Sequence, residues 1–292
     1  PDGALWCWGR NNWGQTGRGD FGSPRIIKET QQDWVKVSGN VSHACALKQD
    51  GTLWCTGSNA YGKLGLGEVP SVQSYVQLGT DTNWSDVASG EYHTCATKTD
   101  GTLWCWGYSN DRQLGSSSNQ TKREPQLVGS DTDCVSVMSG ERHSCAIKQN
   151  GTLWCWGENG KGECGLGNTS NFSSGPKQVG TDTDWLSAKS YHHHSCALKT
   201  DKTLWCWGEG QYGRLGTGGS SNLPAPTLVT EVTEVSDFDV GQNHSCALKT
   251  DETLHCWGRN NQRQLGIGSN SSNQLAPVKV TDSDWASVTL GT

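Results

Sequence analysis

The sequence predicts an all-β fold, a single β-propeller of four-stranded blades spanning residues 1–292, and three observations lead to it. A 15-residue hairpin motif recurs at 43–57, 93–107, 143–157, 194–208 and 244–258, with a half copy at 1–9. From Cys55 onward its second cysteine returns after 50, 50, 51 and 50 residues, a period that marks a repeat architecture. Glycine is abundant at 38 residues and only 33% of the residues are hydrophobic, which is typical of short strands joined by many turns.

Each copy of the motif predicts a β-hairpin that carries two cysteines. The cysteines are ten residues apart around a turn, so pairing Cys45 with Cys55 also pairs Lys48 with Thr52. If Lys48 and Thr52 form the hydrogen-bonded closing pair, the cysteines face each other at a non-hydrogen-bonded site, where Cα atoms are about 4.5 Å apart. That separation is at the short end of what a disulfide permits.

The turn of the hairpin has three residues and requires a left-handed residue at its third position, as in a type I turn with a G1 bulge. Glycine occupies that position in the first three copies, at Gly51, Gly101 and Gly151. Lys202 and Glu252 replace it in the last two, where we expect strain or a different turn.

Five hairpin disulfides are therefore predicted, with free buried thiols acting as small hydrophobes as the alternative. The pairs are Cys45–Cys55, Cys95–Cys105, Cys145–Cys155, Cys196–Cys206 and Cys246–Cys256. Cys134 and Cys164 replace a tryptophan and a leucine within one repeat, a coincidence that suggests an additional Cys134–Cys164 bridge. We expect Cys7 to be unpaired within this chain. Thirteen cysteines without a Cys-X-X-Cys pair favour disulfides over zinc, and hence an oxidising compartment.

Further segments complete each repeat. A strand-like segment such as 33–39 precedes the hairpin, a glycine-rich loop such as 59–67 follows it, and a variable tract leads to a short apolar strand such as 126–128. Because side chains alternate along a strand, Leu153 and Trp154 lie on opposite faces, and both faces are apolar. Such strands lie between stacked sheets, and four strands per repeat are one blade of a propeller.

The repeat resembles the RCC1-type repeat, with its Gly-X-X-His element, Ala-Leu strand, Gly-X-X-Trp-X-Trp-Gly hairpin and Asn-X-X-Gly-Gln-Leu-Gly-X-Gly loop. The matching loop segments are 11–15, 112–115, 212–216 and 264–266. This resemblance implies a propeller, usually of seven blades, in which partners bind the loops or the axial faces of the scaffold. The paired cysteines depart from the family pattern and suggest a secreted branch, and only six repeats are found.

One strand of a six-blade ring is missing, the His-X-Cys strand that would pair with Cys7. It lies in sequence outside these 292 residues, is donated by a neighbouring chain through strand addition, or is absent together with a whole seventh blade. The chain begins at Pro1 inside a repeat and has no signal peptide, so we expect a mature or trimmed fragment.

Composition excludes several classes of partner. The net charge of −6 is unfavourable for nucleic-acid binding, and no apolar run approaches the roughly 20 residues that span a bilayer, so membrane insertion is not expected. Eight Asn-X-Ser/Thr sequons are candidate N-glycosylation sites, although an Asn-rich and Ser-rich chain also makes them by chance. They begin at Asn40, Asn83, Asn119, Asn150, Asn168, Asn171, Asn243 and Asn270.

Catalytic and metal-binding residues are not expected. No nucleophile motif, phosphate-binding loop or zinc-protease motif is present, and no cofactor is implied. The repeated histidines before the first cysteine are interpreted as structural, each with a hydrogen bond to a neighbouring backbone group: His43, His93, His143, His194 and His244. The segment 191–194 is the one local histidine cluster, and adventitious metal binding there is the alternative.

The sequence therefore predicts a non-catalytic, extracellular or cell-surface module for protein interaction or assembly, whose partner is another protein or a further copy of itself. A carbohydrate-binding propeller is the alternative, with exposed tryptophans such as Trp13 stacking on sugars. Guanine-nucleotide exchange on a small GTPase, which the family resemblance implies for some members, is a further alternative and conflicts with the disulfides.

Overall fold

The computed structural model describes residues 5–7, 9–21, 27–28, 33–268, 272–281 and 284–291. Its strands form five four-stranded antiparallel sheets, each a meander in chain order, and one two-stranded ribbon, which confirms the predicted all-β class. The chain divides into two compact units, Pro1–Gln149 and Asn150–Thr292. Trp8 of the half copy and the sequon at Asn270 lie outside the described residues.

The strands of the first unit follow the predicted repeat. They are β1 (Trp6–Cys7), β2 (Ile27–Lys28), β3 (Trp34–Gly39), β4 (His43–Lys48), β5 (Leu53–Gly57), β6 (Val72–Gln77), β7 (Trp84–Ser89), β8 (His93–Lys98), β9 (Leu103–Gly107), β10 (Lys122–Leu127), β11 (Cys134–Ser139) and β12 (His143–Lys148). A 3₁₀ helix, Ala60–Gly62, lies in the loop after β5.

The second unit repeats the same elements. They are β13 (Leu153–Glu158), β14 (Phe172–Gln178), β15 (Trp185–Tyr191), β16 (His194–Lys199), β17 (Leu204–Gly208), β18 (Leu223–Leu228), β19 (Val235–Val240), β20 (His244–Lys249), β21 (Leu254–Gly258) and β22 (Gln274–Lys279). The 3₁₀ helix Gln211–Gly213 follows β17. Within the described residues, neither helix has the length and apolar character needed to cross a membrane.

The hairpins carry the disulfides in the register that the spacing predicts. In the β4–β5 pair, Cys45 is opposite Cys55 and Leu47 is opposite Leu53. The Cα atoms are 4.1 Å apart in each of the pairs Cys45–Cys55, Cys95–Cys105, Cys196–Cys206 and Cys246–Cys256. Cys145 and Cys155 are also disulfide-bonded.

The additional Cys134–Cys164 bridge is wrong, because both residues carry free thiols. Cys134 begins β11 opposite Lys148, where the other repeats have a large apolar residue. The Cys164 thiol lies 3.3 Å from the carbonyl oxygen of Glu158 in its own loop. Burial raises the pKa of Cys134 to about 11 and raises that of Cys164 as well, so both thiols are unreactive in the folded protein.

The hairpin turn is the same whether or not it contains glycine. Lys202 and Glu252 adopt φ values of +65° and +63°, and each donates the backbone hydrogen bond that Gly51 donates in the first hairpin. At Gly51 a Cβ atom would lie 2.1 Å from the carbonyl oxygen of Thr82 in the following linker. In the linkers that follow Lys202 and Glu252, Glu234 and Asp284 have φ of +56° and +71°, and Asp33 before β3 has a similar φ of +68°.

The hydrophobic core lies between successive sheets, where the tryptophan before the last glycine is buried in four of the five hairpins and Thr56 replaces it in the first. Trp106 has no exposed surface and packs with Cys45, Leu53 and Val87. Trp257 occupies the corresponding position in the second unit and packs with a cluster that includes Leu204. Large aromatic side chains thus supply the inter-sheet contacts that a chain of low apolar content needs.

Lysine side chains cover the outer tryptophans. Lys98 Nζ lies 4.7 Å from the ring centre of Trp84 on the first strand and 4.5 Å from that of Trp104 on the third. Lys199 makes the same pair of cation–π contacts with Trp185 and Trp205, at 4.9 and 5.0 Å. The ammonium groups remain close to solvent while their alkyl chains shield the indole rings.

Candidate functional site

Consecutive repeats are connected by a buried chain of hydrogen bonds that begins at the repeated histidine. Its Nε2 lies within hydrogen-bonding distance of a hydroxyl 51 residues later: His43 with Thr94 (2.9 Å), His93 with Ser144 (2.7 Å) and His194 with Ser245 (3.0 Å). The hydroxyl then donates to a loop carbonyl oxygen: Thr94 to Lys63 (2.8 Å), Ser144 to Gln113 (3.0 Å) and Ser245 to Arg214 (2.9 Å). We refer to this histidine, hydroxyl and carbonyl as the joint.

The joint fixes the proton on the histidine. Because the hydroxyl hydrogen points to the carbonyl oxygen, the histidine donates through Nε2–H. Burial lowers the pKa of His43 well below its usual range, and the nearby charge of Lys63 lowers it further. Burial likewise lowers the pKa of His93 to about 3. His43, His93 and His194 thus make buried structural hydrogen bonds, but the expected backbone partner is wrong, because each Nε2 contacts a side-chain hydroxyl of the next repeat.

The loop that carries the joint carbonyl of Lys63 is held by one asparagine. Asn59 is buried, its Oδ1 accepts the N–H of Leu64 at 3.1 Å, and its Nδ2 donates to the carbonyl of Val69 at 2.7 Å. Asn159 holds the N–H of Cys164 in the same way at 3.0 Å. Side chains that project from these loops are therefore placed on a rigid support.

An exposed groove with aromatic walls lies on the loops of the first unit. We define the aromatic groove by Trp13, Val41, Tyr61, Val69 and Tyr92, which line a cavity of about 570 Å³. Trp13 and Tyr61 are 49% and 46% exposed, more than most large apolar side chains of this protein. Tyr61 adopts φ of +63°, a left-handed value that a bulky residue rarely takes and that often marks a functional site.

Further aromatic and charged side chains support the wall at Tyr61. Its ring centre lies 4.9 Å from that of Tyr108 and 6.2 Å from that of Tyr92. Arg142 lies over the Tyr92 ring at 5.3 Å. Burial, followed by the hydrogen bond and charge of Glu91, raises the pKa of Tyr92 to about 12, so its hydroxyl stays protonated as a donor.

A buried lysine forms the floor of the aromatic groove. Lys63 is 3% exposed, and its Nζ donates to Ser42 Oγ at 2.5 Å and to the carbonyl of Glu91 at 3.2 Å. Burial lowers the pKa of Lys63 to about 8. The groove therefore combines aromatic and apolar side chains with a few polar groups, among them Lys63, Ser42 and Ser71, an arrangement typical of binding sites.

The corresponding loops of the second unit carry an ionic network instead. Arg214, which replaces Lys63 in the repeat, is buried and lies 2.9 Å from Glu209 Oε2 and 2.7 Å from Asn243 Oδ1. Lys161 pairs with the other oxygen of Glu209 at 2.8 Å. Glu209 is thus paired with two cations, whereas the groove of the first unit presents uncharged rings to solvent.

The predicted glycosylation positions are distributed among loops and turns. Four sequon asparagines are exposed, at Asn119, Asn150, Asn168 and Asn171. Asn40, Asn83 and Asn243 are half-buried, and the side chains of Asn40 and Asn243 are held by hydrogen bonds within the protein.

Sequence reasoning identified Trp13 and missed the other members of the aromatic groove. Tyr61 and Tyr212 occupy one position of the repeat, and a comparison of the aligned loops would have singled them out. Tyr92 and Arg142 precede two of the repeated histidines, and their convergence with Tyr61 depends on pairing between repeats, which no local pattern reveals.

Repeated four-stranded blades with buried joints and variable loops define the class of repeat β-propellers. The chain belongs to the RCC1-like domain family, whose family model matches residues 1–292.

Solved structures show the same fold. Human WBSCR16 is 21% identical with a TM-score of 0.82 over 95% of this chain and 76% of its own. Yeast RCC1 (Prp20), solved with Kap60 bound, is 18% identical with a TM-score of 0.72 over 97% of this chain and 84% of its own. Prp20p from Saccharomyces cerevisiae, described with its binding properties to Gsp1p and histones, is 18% identical with a TM-score of 0.71, over 97% and 86%.

Proposed function

We propose that the protein is an extracellular protein-interaction module that binds its partner protein in the aromatic groove. The observation that carries this proposal is the exposure of two large aromatic side chains, Trp13 and Tyr61, in the lining of one cavity. Tyrosine, tryptophan and arginine dominate the binding energy of protein interfaces. Tyr92 and the Arg142 side chain that lies over it add residues of these types to the groove. The expected occupant is an apolar or aromatic side chain on an extended segment of the partner.

Rigidity of the aromatic groove supports the same function. Its walls are attached to loops held by Asn59 and by the joint at Lys63, so little conformational entropy is lost when a partner binds. Binding of other proteins is described for yeast relatives, with Kap60 in one case and with Gsp1p and histones in another.

The extracellular setting is supported by the disulfides. Ten cysteines are bonded, and such pairs persist in oxidising compartments while cytosolic thiols are kept reduced. The exposed sequons, among them Asn119 and Asn171, are proposed as the glycosylated ones because their side chains face solvent.

Selection from a displayed peptide library tests the proposal. The wild-type protein, expressed by secretion, is expected to enrich peptides with a shared apolar motif, and Tyr61→Ala together with Trp13→Ala is expected to weaken the binding of synthetic versions at least tenfold. Val135→Ser, which removes an exposed apolar side chain outside the groove, serves as the matched control. Equal binding by the groove variants and the control would refute the proposal.

A carbohydrate-binding function is the second candidate, favoured by the exposure of Trp13 alone. An indole face with half of its surface free is suited to stacking on a sugar ring. Binding to a glycan array that Trp13→Ala abolishes and Tyr61→Ala leaves intact would favour this function over the first.

A further inference from the structure

Two carboxylates at and after the end of β13 lie close to a histidine that directly precedes β16 in the second unit. His193 Nδ1 lies 3.3 Å from Glu163 Oε1 and 3.6 Å from Glu158 Oε2, and all three ligand atoms lie within 4.8 Å of one another. Glu163 is completely buried, while Glu158 and His193 keep 24% and 13% of their side-chain surface exposed. The cluster therefore has a fixed interior ligand and an opening to solvent.

The distances match the coordination shell of one metal ion. A tetrahedron with metal–ligand bonds of about 2.0–2.1 Å has edges of about 3.3–3.4 Å, close to both separations from His193. A mixed imidazole and carboxylate set suits zinc, whereas calcium and magnesium prefer oxygen ligands alone. We propose that Glu158, Glu163 and His193 bind a zinc ion whose fourth position is taken by water.

The backbone holds the buried ligand in place. The second oxygen of Glu163, Oε2, accepts the N–H of Lys161 at 2.8 Å, which leaves Oε1 directed at His193. Glu158 is the last residue of β13, and His193 immediately precedes β16. All three ligands thus extend from strand ends or a hydrogen-bonded loop, as a preorganised metal site requires.

In the next repeat, an arginine side chain occupies the place proposed here for the zinc ion. Glu209, Arg214 and Asn243 are the repeat equivalents of Glu158, Glu163 and His193. There the guanidinium of Arg214 contacts both Glu209 and Asn243, so the cation is part of the chain. In the cluster at Glu163 the central residue is a carboxylate, and zinc supplies the positive charge that Arg214 supplies in its neighbour.

Zinc titration of the full-length chain, free of any polyhistidine tag, tests the assignment by calorimetry. Wild-type protein is expected to bind one zinc ion, and Glu163→Gln and His193→Asn are each expected to lower the affinity at least tenfold. Both variants are expected to fold, because other repeats contain the same residues at these positions. Gln113 is the repeat equivalent of Glu163, and Asn243 is that of His193. Cobalt in place of zinc is expected to give the visible absorption of a tetrahedral site.

Lys63→Gln is the matched control, because Lys63 is the repeat equivalent of Glu163. The change introduces the same glutamine without removing a proposed zinc ligand. Its zinc affinity is expected to equal that of wild type, and thermal unfolding without zinc verifies that all variants are folded. The assignment is overturned if wild-type protein binds no zinc, or if either ligand variant loses less than tenfold in affinity. It is also overturned if Lys63→Gln loses as much, or if binding depends on His192 and not on His193.

Discussion

At the scale of single residues, the third position of the hairpin turn lies against the linker that leads to the next repeat. Where the turn contains glycine, the following linker approaches so closely that a Cβ would contact the carbonyl of Thr82. Where it contains Lys202, the linker residue Glu234 is left-handed as well. One substitution is therefore associated with two unfavourable backbone conformations.

Lys202→Gly is expected to stabilise the protein by up to about 1 kcal/mol, because glycine adopts positive φ without steric cost. Urea unfolding at neutral pH measures the free energy. Lys202→Ala, which keeps the Cβ, is the control and is expected to give no gain. If alanine stabilises as much as glycine, loss of the lysine side chain and not the backbone is the cause.

Residue-level prediction from sequence succeeded where a position repeats and failed where it deviates. The five copies of the hairpin fix the register of Cys45 and Cys55 because glycine, threonine and cysteine recur at constant spacing. Cys134 and Cys164 deviate in the same repeat, yet each replaces a side chain in a separate packing environment. Two deviations in one repeat therefore did not mean a disulfide, because both thiols are free.

At the scale of the element, the joint attaches each hairpin to the preceding loop. The carbonyl oxygen of Lys63 accepts from Thr94 Oγ1 and also from Trp106 Nε1 at 3.0 Å. Both donors belong to the sheet that follows the loop. This sheet is therefore attached through its second strand, β8, and its third strand, β9. Two buried donors on one acceptor satisfy the polar groups that burial would otherwise penalise.

Thr94→Val is expected to lower the free energy of unfolding by about 1–3 kcal/mol, because it keeps the shape but leaves the Nε2–H of His43 without its acceptor. Chemical denaturation measures the change. Thr94→Ser retains the hydroxyl and is expected to lose less than half as much. Equal losses in the two variants would show that packing of the methyl group, and not the hydrogen bond, accounts for the effect.

The sequence predicted the strands but not their connections between repeats. The 50-residue period and alternating apolar residues are local properties, and they specify the hairpins directly. The aromatic groove and the cluster at Glu163 each combine side chains from loops of different repeats. Glu158 and His193 are separated by an entire variable tract, so no motif of fixed spacing could have joined them.

At the scale of the whole molecule, buried neutral histidines make the fold sensitive to acid. Because their folded-state pKa values lie below the usual 6.5, the unfolded chain takes up protons that the folded protein does not. Stability is then complete above pH 6.5 and is lost as the pH falls toward the folded pKa, about 3 for His93. His244 is shifted in the same direction by burial.

Between pH 6.5 and about 4.5 we expect the free energy of unfolding to decrease by up to roughly 1 kcal/mol per pH unit for each of His43 and His93. Urea unfolding at a series of pH values measures the slope. The slope measures the number of protons taken up on unfolding. His93→Gln, whose amide can still donate to Ser144, is expected to reduce that number by nearly one. A slope unchanged by this variant would contradict the role of His93.

The covalent state of the cysteines predicts a mass change for the entire chain. Reduction of the unfolded protein is expected to add ten hydrogens for its five disulfides. Alkylation before unfolding is expected to leave Cys134 and Cys164 unmodified because both are buried. Intact-mass spectrometry reads both outcomes, and a gain of twelve hydrogens would mean that the two thiols are bonded after all.

The joint also has a consequence for how such a chain can change over evolutionary time. In the three joints observed, a histidine contacts a hydroxyl 51 residues later, which directly follows the histidine of the next repeat. A duplicated repeat of 50 residues would therefore contain both the histidine and the hydroxyl that its neighbours need. Gain or loss of whole repeats thus preserves every junction, whereas an insertion of a few residues between the two partners must be absorbed within a surface loop.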